Sequence, residues 1–373
     1  MDNLDGISII IPMFNSRNTI SNTLASVINQ TDTKWEIIII DDGSVDDSYS
    51  LAMGLLDKQN NPFQIIRTEN NGQSIARDLG LNRAIYEWVL FLDSDDTLEL
   101  SFFERFRKLK SFQTTSSEVY FFDYKIIYED NQYIVSNDKF LGLTNQKGIE
   151  LVKSYYFGSG ASLGTSNLLY SKIFLKSNRI KFYIIDNLYE HQIKAKYLAG
   201  EDIIFPLISF LYADRVSYFP IFSVNYSQHG NNFSYKFNVS RLGAFYSNYY
   251  LVNLLKAETN RSRDLSRVCI VLTQGMLNGF LYNLVILRYF YFRTNSSKIS
   301  YRDLLNVVQD SYPMIFTTYN KSLRSILTDI TLRKSLNYLV WILFIAFPEV
   351  TLLALEFFFN LKGLKDDFGH GMI

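Results

Sequence analysis

The sequence predicts an α/β fold, a mostly parallel sheet with helices on both faces, followed by a mainly α-helical carboxy-terminal part. Three observations predict this fold class. Short β-branched runs alternate with amphipathic segments four times within residues 1–100, which is typical of parallel sheets. Polar loops follow the ends of these runs. The composition, 47% hydrophobic and 20% charged, provides a large core and excludes a disordered chain.

The predicted strands are apolar runs that stop at turn-forming residues. They are Ile7–Ile11, Glu36–Ile40, Phe63–Arg67 and Trp88–Leu92. An amphipathic segment separates each run from the next, and we expect Ser16 to cap the first helix. Further along the chain, a strand pair is expected at Val216–Phe219 and Ile221–Val224.

Four polar loops follow the carboxyl ends of the predicted strands. They are Pro12–Asn15, Asp41–Ser44, Asn70–Gly72 and Asp93–Asp96. In open α/β sheets this edge is where ligands bind. Four such loops on one edge predict a single ligand-binding crevice.

The last of these loops places three carboxylates within four residues, at Asp93, Asp95 and Asp96. Carboxylates this close repel one another, so a cation is the natural means of keeping them ionised. Mg²⁺ or Mn²⁺ prefers oxygen ligands and commonly combines one or two carboxylates with substrate phosphates. The alternative is a plain acidic start to a helix near Thr97.

Four motifs in these loops resemble those of the family 2 glycosyltransferases. They are SIIIPMFN at 8–15, WEIIIIDDGSVD at 35–46, NNGQSIARDLG at 70–80 and FLDSDD at 91–96, with looser matches at 167–182 and 200–206. The resemblance implies a GT-A fold, transfer of a sugar from a nucleotide-sugar donor, usually a UDP-sugar, with inversion, and Mn²⁺ or Mg²⁺ as cofactor. We place the catalytic domain at residues 1–238 and a helical domain at 239–373.

The resemblance also implies roles for individual residues in binding the nucleotide. These residues are Pro12, Phe14, Asn15, Asp42, Arg77 and Asp93. Asp42 corresponds to the residue that hydrogen-bonds the base, and Arg77 to an arginine near the nucleotide. Asp78 stands where the family usually has Asn.

Metal binding and proton transfer are implied at three further places. The metal ligands are Asp95 with Asp93 and His229, and Asp96 is a helix cap or a supporting group. Asp202 is the predicted base that takes the acceptor proton, and Glu201 is the next candidate. From local sequence alone, Glu201 and Asp202 also fit an acidic pair at the start of a helix.

Charge divides the chain into two halves. The whole chain has 37 Lys and Arg residues and 37 Asp and Glu residues. Residues 236–373 hold 16 basic and 9 acidic residues, so residues 1–235 hold 21 basic and 28 acidic residues. The balance excludes a generally basic nucleic-acid binder. The basic, aromatic-rich part is expected to serve oligomerisation, acceptor binding or peripheral contact with an anionic membrane.

Two apolar stretches raise the question of membrane contact. Residues 268–287 fit either a buried helix or a membrane-contacting one, and residues 336–361 fit a helix–break–helix at a membrane surface or a core helix pair. The acidic start lacks the features of a secretory signal. We therefore expect a cytoplasmic protein, with peripheral association at the inner face of the cell membrane as an option.

The leading hypothesis is an inverting glycosyltransferase of the hexosyl or N-acetylhexosaminyl type. It would act on a glycan or lipid-linked acceptor in surface polysaccharide synthesis, such as capsule or cell wall. The insertion at residues 184–199 is positioned in the sequence to contact the acceptor. The alternatives are a nucleotidyltransferase and a non-catalytic GT-A module that binds glycan or scaffolds an assembly.

Overall fold

The computed structural model describes residues 5–128, 132–135, 145–157, 164–183, 200–227 and 243–258, with single positions between 268 and 352. The chain divides into two units. The first comprises Met1–Asn187, Lys194–Lys196 and Glu201–Tyr235, and the second comprises Leu188–Ile193, Tyr197–Gly200 and Lys236–Ile373. The predicted domain boundary between residues 238 and 239 lies outside the described residues.

Strands and helices alternate strictly through β4, as the sequence predicts. The strands are β1 (Ile7–Met13), β2 (Trp35–Asp41), β3 (Phe63–Arg67), β4 (Trp88–Phe91), β5 (Thr97–Leu98), β6 (Val119–Ile127), β7 (Gln132–Val135), β8 (Leu168–Ser171) and β9 (Val216–Ser227). The helices are α1 (Ile20–Ile28), α2 (Ser48–Leu56), α3 (Gln73–Arg83), α4 (Phe102–Ser111), α5 (Gly148–Phe157), α6 (Lys172–Ser177), α7 (Glu201–Tyr212) and α8 (Gly243–Glu258).

Within the described residues, nine strands form one mixed sheet in the order β3-β2-β1-β4-β8-β6-β9-β5, with β7 paired to β6. The first four strands are mutually parallel, as predicted. Beyond them the sheet is mixed, because β8 pairs antiparallel with both β4 and β6 whereas β6 and β9 pair parallel. The strand–helix alternation that imposes parallel pairing ends after β4, so the later strands join the sheet in both directions.

The core lies on both faces of the parallel half of the sheet. Every residue of β1 and β2 is buried, which explains their near-continuous isoleucine runs. Helix α3 packs unusually close to β1, since a Cβ at Gly80 would lie 2.3 Å from the Ile10 side chain. This close approach fixes the helix that carries Arg77 and Asp78.

Three local predictions are corrected by the structure. No helix begins near Thr97: β5 pairs there with β9, and α4 begins at Phe102. The acidic loop is therefore not a helix start. Ser16 does not cap α1 with its side chain, because the helix begins at Ile20 and the Ser16 carbonyl accepts from the amide of Ile20 at 2.9 Å. The expected strand pair after residue 215 is the single strand β9.

The two apolar stretches are described only in part. In the 268–287 stretch, all seven described positions are helical and buried. The predicted 336–361 segment lies outside the described residues except for Thr351 and Leu352. Across the described parts of the chain, no helix has both the length and the apolar character needed to cross a membrane.

Candidate active site

The loops after β1 and β2 are joined to each other by hydrogen bonds. Asn15 adopts a left-handed conformation with φ of 49°, and its amide donates to Ser44 Oγ at 3.0 Å. In return, the amide of Val45 donates to Asn15 Oδ1 at 2.9 Å. Pro12 is buried at the end of β1, whereas the Phe14 side chain is 48% exposed. The loop thus presents an aromatic ring to solvent from a fixed backbone.

Asp42 ties the loop after β2 to the loop after β3. Its two carboxylate oxygens accept from the amides of Asn71 and Gly72, each at 2.8 Å. Gly72 has a φ of 93°, a left-handed conformation that glycine adopts without strain. The resemblance predicts that Asp42 meets a base, and the structure adds that this carboxylate also organises the next loop.

The acidic loop after β4 is held from two sides. Ser94 Oγ lies 2.7 Å from Ser16 Oγ, and the Ser94 carbonyl accepts from Thr23 at 3.0 Å. Asp96 is buried and accepts the amide of Ser227, at the end of β9, at 2.9 Å. Burial and the charges of Asp93 and Asp95 raise the pKa of Asp96 well above its ordinary value. Asp96 therefore anchors the loop to the end of β9.

Arg77 bridges the acidic loop and the start of α7. Its guanidinium, with a side chain only 1% exposed, lies 2.7 Å from Asp93 Oδ1 and 3.3 Å from Glu201 Oε1. Gln73, one helical turn earlier, hydrogen-bonds both Arg77 and Glu201. Burial by itself lowers the pKa of Arg77, but the charges of Asp93 and Glu201 outweigh it and raise that pKa. Arg77 is therefore a fixed cation between two carboxylates.

Glu201 and Asp202 are adjacent in sequence but differ in environment. Glu201 is buried, and desolvation together with the charge of Asp202 raises its pKa to about 7 despite Arg77. Asp202 keeps an exposed surface, although it lies in a crowded recess. Desolvation by the atoms crowded around it raises the pKa of Asp202. The charge of Arg77 acts against this shift, and the charge of Asp93 adds to it. Of the two carboxylates, only Asp202 remains accessible to an incoming molecule.

Sequence reasoning did not find the part that Phe182 and Tyr183 play. Their amides donate to the two carboxylate oxygens of Asp78, each at 2.9 Å. Burial raises the pKa of Asp78 to about 6, although these hydrogen bonds act against the shift. The one sequence feature that could have indicated this contact is Asp78 itself, because an acidic side chain stands where the resemblance predicts Asn.

The structure brings together Arg77, Asp93, Glu201 and Asp202 from three segments of the first unit. His229 lies outside the described residues. Among the described residues, no three acidic, histidine or cysteine side chains form a ready metal-binding group. The acidic loop nevertheless fits a hard cation in part, since Asp93 and Asp95 can supply carboxylate oxygens as ligands. The negative charges of these two residues also disfavour the ionised form of Asp96. Substrate phosphates would have to complete the coordination.

Comparison with known proteins identifies the family to which this fold belongs. Residues 8–162 match the family model described as Glycosyl transferase family 2. The cholesterol galactosyltransferase of Borreliella burgdorferi is 27% identical over 333 residues, which make up 87% of this chain and 83% of that protein. Residues 8–162 are therefore a family 2 glycosyltransferase domain. The nucleotidyltransferase and non-catalytic alternatives are set aside accordingly.

Two further comparisons place the glycosyltransferase among known proteins. Bacillus subtilis TuaG is 31% identical over 135 residues, 36% of this chain and 52% of that protein. The crystal structure of S. aureus TarS 1–349 with UDP-GlcNAc has a TM-score of 0.51 at 17% identity, covering 85% of this chain and 92% of that one. This likeness confirms the GT-A fold, while the helical carboxy-terminal domain stays a prediction.

Proposed function

We propose that this glycosyltransferase moves a sugar from a UDP-sugar to a hydroxyl group of a glycan or lipid-linked acceptor, with inversion, in surface polysaccharide synthesis. The observation that carries the proposal is the ionic bridge from Asp93 through Arg77 to Glu201. The bridge brings the acidic loop next to the start of α7, where Asp202 is exposed. One recess therefore offers carboxylates for a metal–diphosphate group and a separate carboxylate for an acceptor.

The choice of donor rests on relatives and on the loops after β1–β3. The TarS structure contains UDP-GlcNAc, and the Borreliella relative is named a galactosyltransferase. We infer a hexosyl or N-acetylhexosaminyl donor on that basis. Phe14 offers an exposed ring to the base, Pro12 and Asn15 shape the loop beneath it, and Asp42 lies close by.

Asp202 is the proposed base. In an inverting displacement the acceptor oxygen attacks the anomeric carbon, the bond to the diphosphate breaks, and the acceptor proton passes to a carboxylate. A positioned base typically contributes about 10²–10⁴-fold. Glu201 is less suited, because it is buried and already accepts from Arg77 and Gln73. Its proposed role is to keep Arg77 in place.

Asp93 and Asp95 are the proposed protein ligands of Mn²⁺ or Mg²⁺, together with His229. A divalent cation at this position would offset the charge that develops on the leaving diphosphate. Asp93 also contacts Arg77, so the position of this carboxylate is fixed before any donor binds. The domain as a whole is acidic and would repel an anionic donor. A bound cation would offset that repulsion at the site.

The test is nucleotide release from a panel of UDP-, GDP- and dTDP-sugars, with Mn²⁺ and with or without candidate acceptors. We expect release with a UDP-hexose or UDP-N-acetylhexosamine, and loss of release on chelation with recovery on adding Mn²⁺. Asp202→Asn should retain donor binding and lose about 10²–10⁴-fold in transfer. Wild-type turnover in this variant would overturn the base assignment, and activity unchanged by chelation would overturn the metal.

For residues 239–373 we propose a helical domain that contacts anionic membrane and brings a lipid-linked acceptor to the enzyme. The support is the excess of 16 basic over 9 acidic residues after position 235. TuaG, a relative, is named a putative teichuronic acid biosynthesis glycosyltransferase. Full-length protein should sediment with anionic but not neutral liposomes at low salt. Protein that stays in the supernatant with both would contradict the proposal in favour of oligomerisation or direct acceptor binding.

A further inference from the structure

The aromatic ring of Phe182 contacts each of the elements that meet at the Arg77 bridge. It stacks on Phe205 of α7 with ring centroids 3.7 Å apart and planes 4° apart. It meets Phe91 of β4 edge to face at 4.7 Å. The Arg77 guanidinium carbon lies 5.2 Å from its centroid. One buried side chain thus touches α3, β4 and α7.

These contacts lie directly beside the charged groups. Phe91 is two residues before Asp93, and Phe205 is one helical turn after Glu201 on the same face of α7. The ring is therefore packed against the supports of both carboxylates and against the cation between them. In the described part of the chain, Arg77 Nε is buried with no hydrogen-bond partner, so its position depends on the carboxylates, Gln73 and this ring.

The backbone of Phe182 is fixed independently of its ring. Asp78 accepts from the amides of Phe182 and Tyr183, and it neighbours Arg77 on α3. The same helix therefore holds the guanidinium and the residue that covers it.

We propose that Phe182 is a positioning residue that holds the Arg77 guanidinium between Asp93 and Glu201, with Asp78 fixing Phe182 in turn. The proposal rests on the proposed function for its kinetic consequences but not for its geometry. With the ring gone, Arg77 is free to shift away from the two carboxylates. The reacting groups would then lose their alignment without losing any atom that contacts the donor.

The kinetic test compares Phe182→Leu with Phe106→Leu. Phe106 is equally buried and lies in an aromatic cluster with Trp88 and Tyr120 that does not include Arg77. Both variants should lower the melting temperature similarly. Only Phe182→Leu should lower kcat, by about 10- to 100-fold.

The pH dependence of kcat provides a second test, because general destabilisation of the fold would not shift it. Asp202 faces Glu201 on its own helix, Arg77 on α3, Asp93 after β4 and Tyr155 on α5. Of these groups, Arg77 lowers the pKa of Asp202. A displaced Arg77 leaves that pKa higher, so the acid limb of kcat should move to higher pH in Phe182→Leu and stay in place in Phe106→Leu.

A second measurement separates this inference from the proposed function. Arg77 should resist modification by phenylglyoxal, read by peptide mass spectrometry, in wild type and in Phe106→Leu, and should react in Phe182→Ala. If wild type releases nucleotide from no donor, the proposed function fails while the labelling still decides the inference. Equal labelling of Arg77 in all three proteins, or matching kinetics and pH limbs for the two leucine variants, would overturn it.

Discussion

The two sides of the proposed site are built in different ways. On the side proposed to bind the nucleotide (the nucleotide side), the loops after β1, β2 and β3 are held by backbone amides and side-chain oxygens of neighbouring loops. On the side proposed to carry out transfer (the transfer side), Arg77 joins carboxylates from segments far apart in sequence, and Glu201 is 124 residues away from Arg77. Losing a hydrogen bond in a polar loop leaves amides that water reaches in part. Losing a buried cation leaves buried carboxylates without a counter-charge.

The largest loss of stability should come from removing Arg77, the cation of the transfer side. Arg77→Met leaves buried Glu201 and half-buried Asp93 without their counter-charge, and removing one partner of a buried ion pair costs about 3–5 kcal/mol. Chemical unfolding would measure the loss. Adding Glu201→Gln to Arg77→Met should recover part of it, because one uncompensated charge disappears.

Arg107 provides the matched control for Arg77. It also pairs with two carboxylates, Asp5 and Asp32, but these three side chains lie partly in solvent. Arg107→Met also removes hydrogen bonds to the carbonyls of Asp5 and Lys34, but it should cost less than Arg77→Met, because solvent screens the carboxylates that remain. Equal losses in the two arginine variants would show that burial does not distinguish the two bridges.

The second prediction is a pH effect at Asp78. Its pKa is raised from 3.8 to about 6, so the folded state holds the proton more tightly than the unfolded chain does. Its contribution to stability therefore falls as pH rises from about 4 to about 6. The fall is on the order of 3 kcal/mol at most, at 1.36 kcal/mol per pKa unit.

The matched comparison for Asp78 is Asp78→Asn, which cannot ionise. The unfolding free energy of wild type minus that of Asp78→Asn should decrease between pH 4 and pH 7 and stay level above that. The Asn variant gives up one of the two amide hydrogen bonds, because its NH₂ group cannot accept. A difference that is flat over the whole range would contradict the raised pKa.

More of the nucleotide side than of the transfer side could be predicted from the sequence. The isoleucine runs of β1 and β2 and the turns that follow them are local signals, so the four parallel strands and the nucleotide-side loops could be predicted. The pairing of Arg77 with Glu201 depends on how distant segments pack, and no local pattern encodes it. For the same reason nothing in the sequence singled out the ring of Phe182, and the antiparallel pairing of β8 with β4 was not predicted.

A third prediction tests the nucleotide side at Asp42. Asp42→Ala leaves the amides of Asn71 and Gly72 without their acceptor, which should cost about 1–3 kcal/mol and weaken donor binding. Ser44→Ala is the control, since Ser44 Oγ accepts only the Asn15 amide among the hydrogen bonds described here. Differential scanning calorimetry and nucleotide titration would measure both variants. A larger loss in Ser44→Ala would mean that Asp42 does not organise these loops.

The smallest effect should come from Ser16, which joins the two sides through a neutral contact. Its hydroxyl lies 2.7 Å from Ser94 Oγ, within the acidic loop, and one such hydrogen bond is worth about 0.5–1.5 kcal/mol. Ser16→Ala should lower stability by that amount, whereas Ser50→Ala, at an exposed contact with the Asp47 carbonyl, should be close to neutral. Because Ser94 lies between Asp93 and Asp95, Ser16→Ala should also raise the Mn²⁺ concentration needed for half-maximal activity. If Ser16→Ala loses stability with no change in that concentration, the nucleotide side supports the acidic loop without setting its metal affinity.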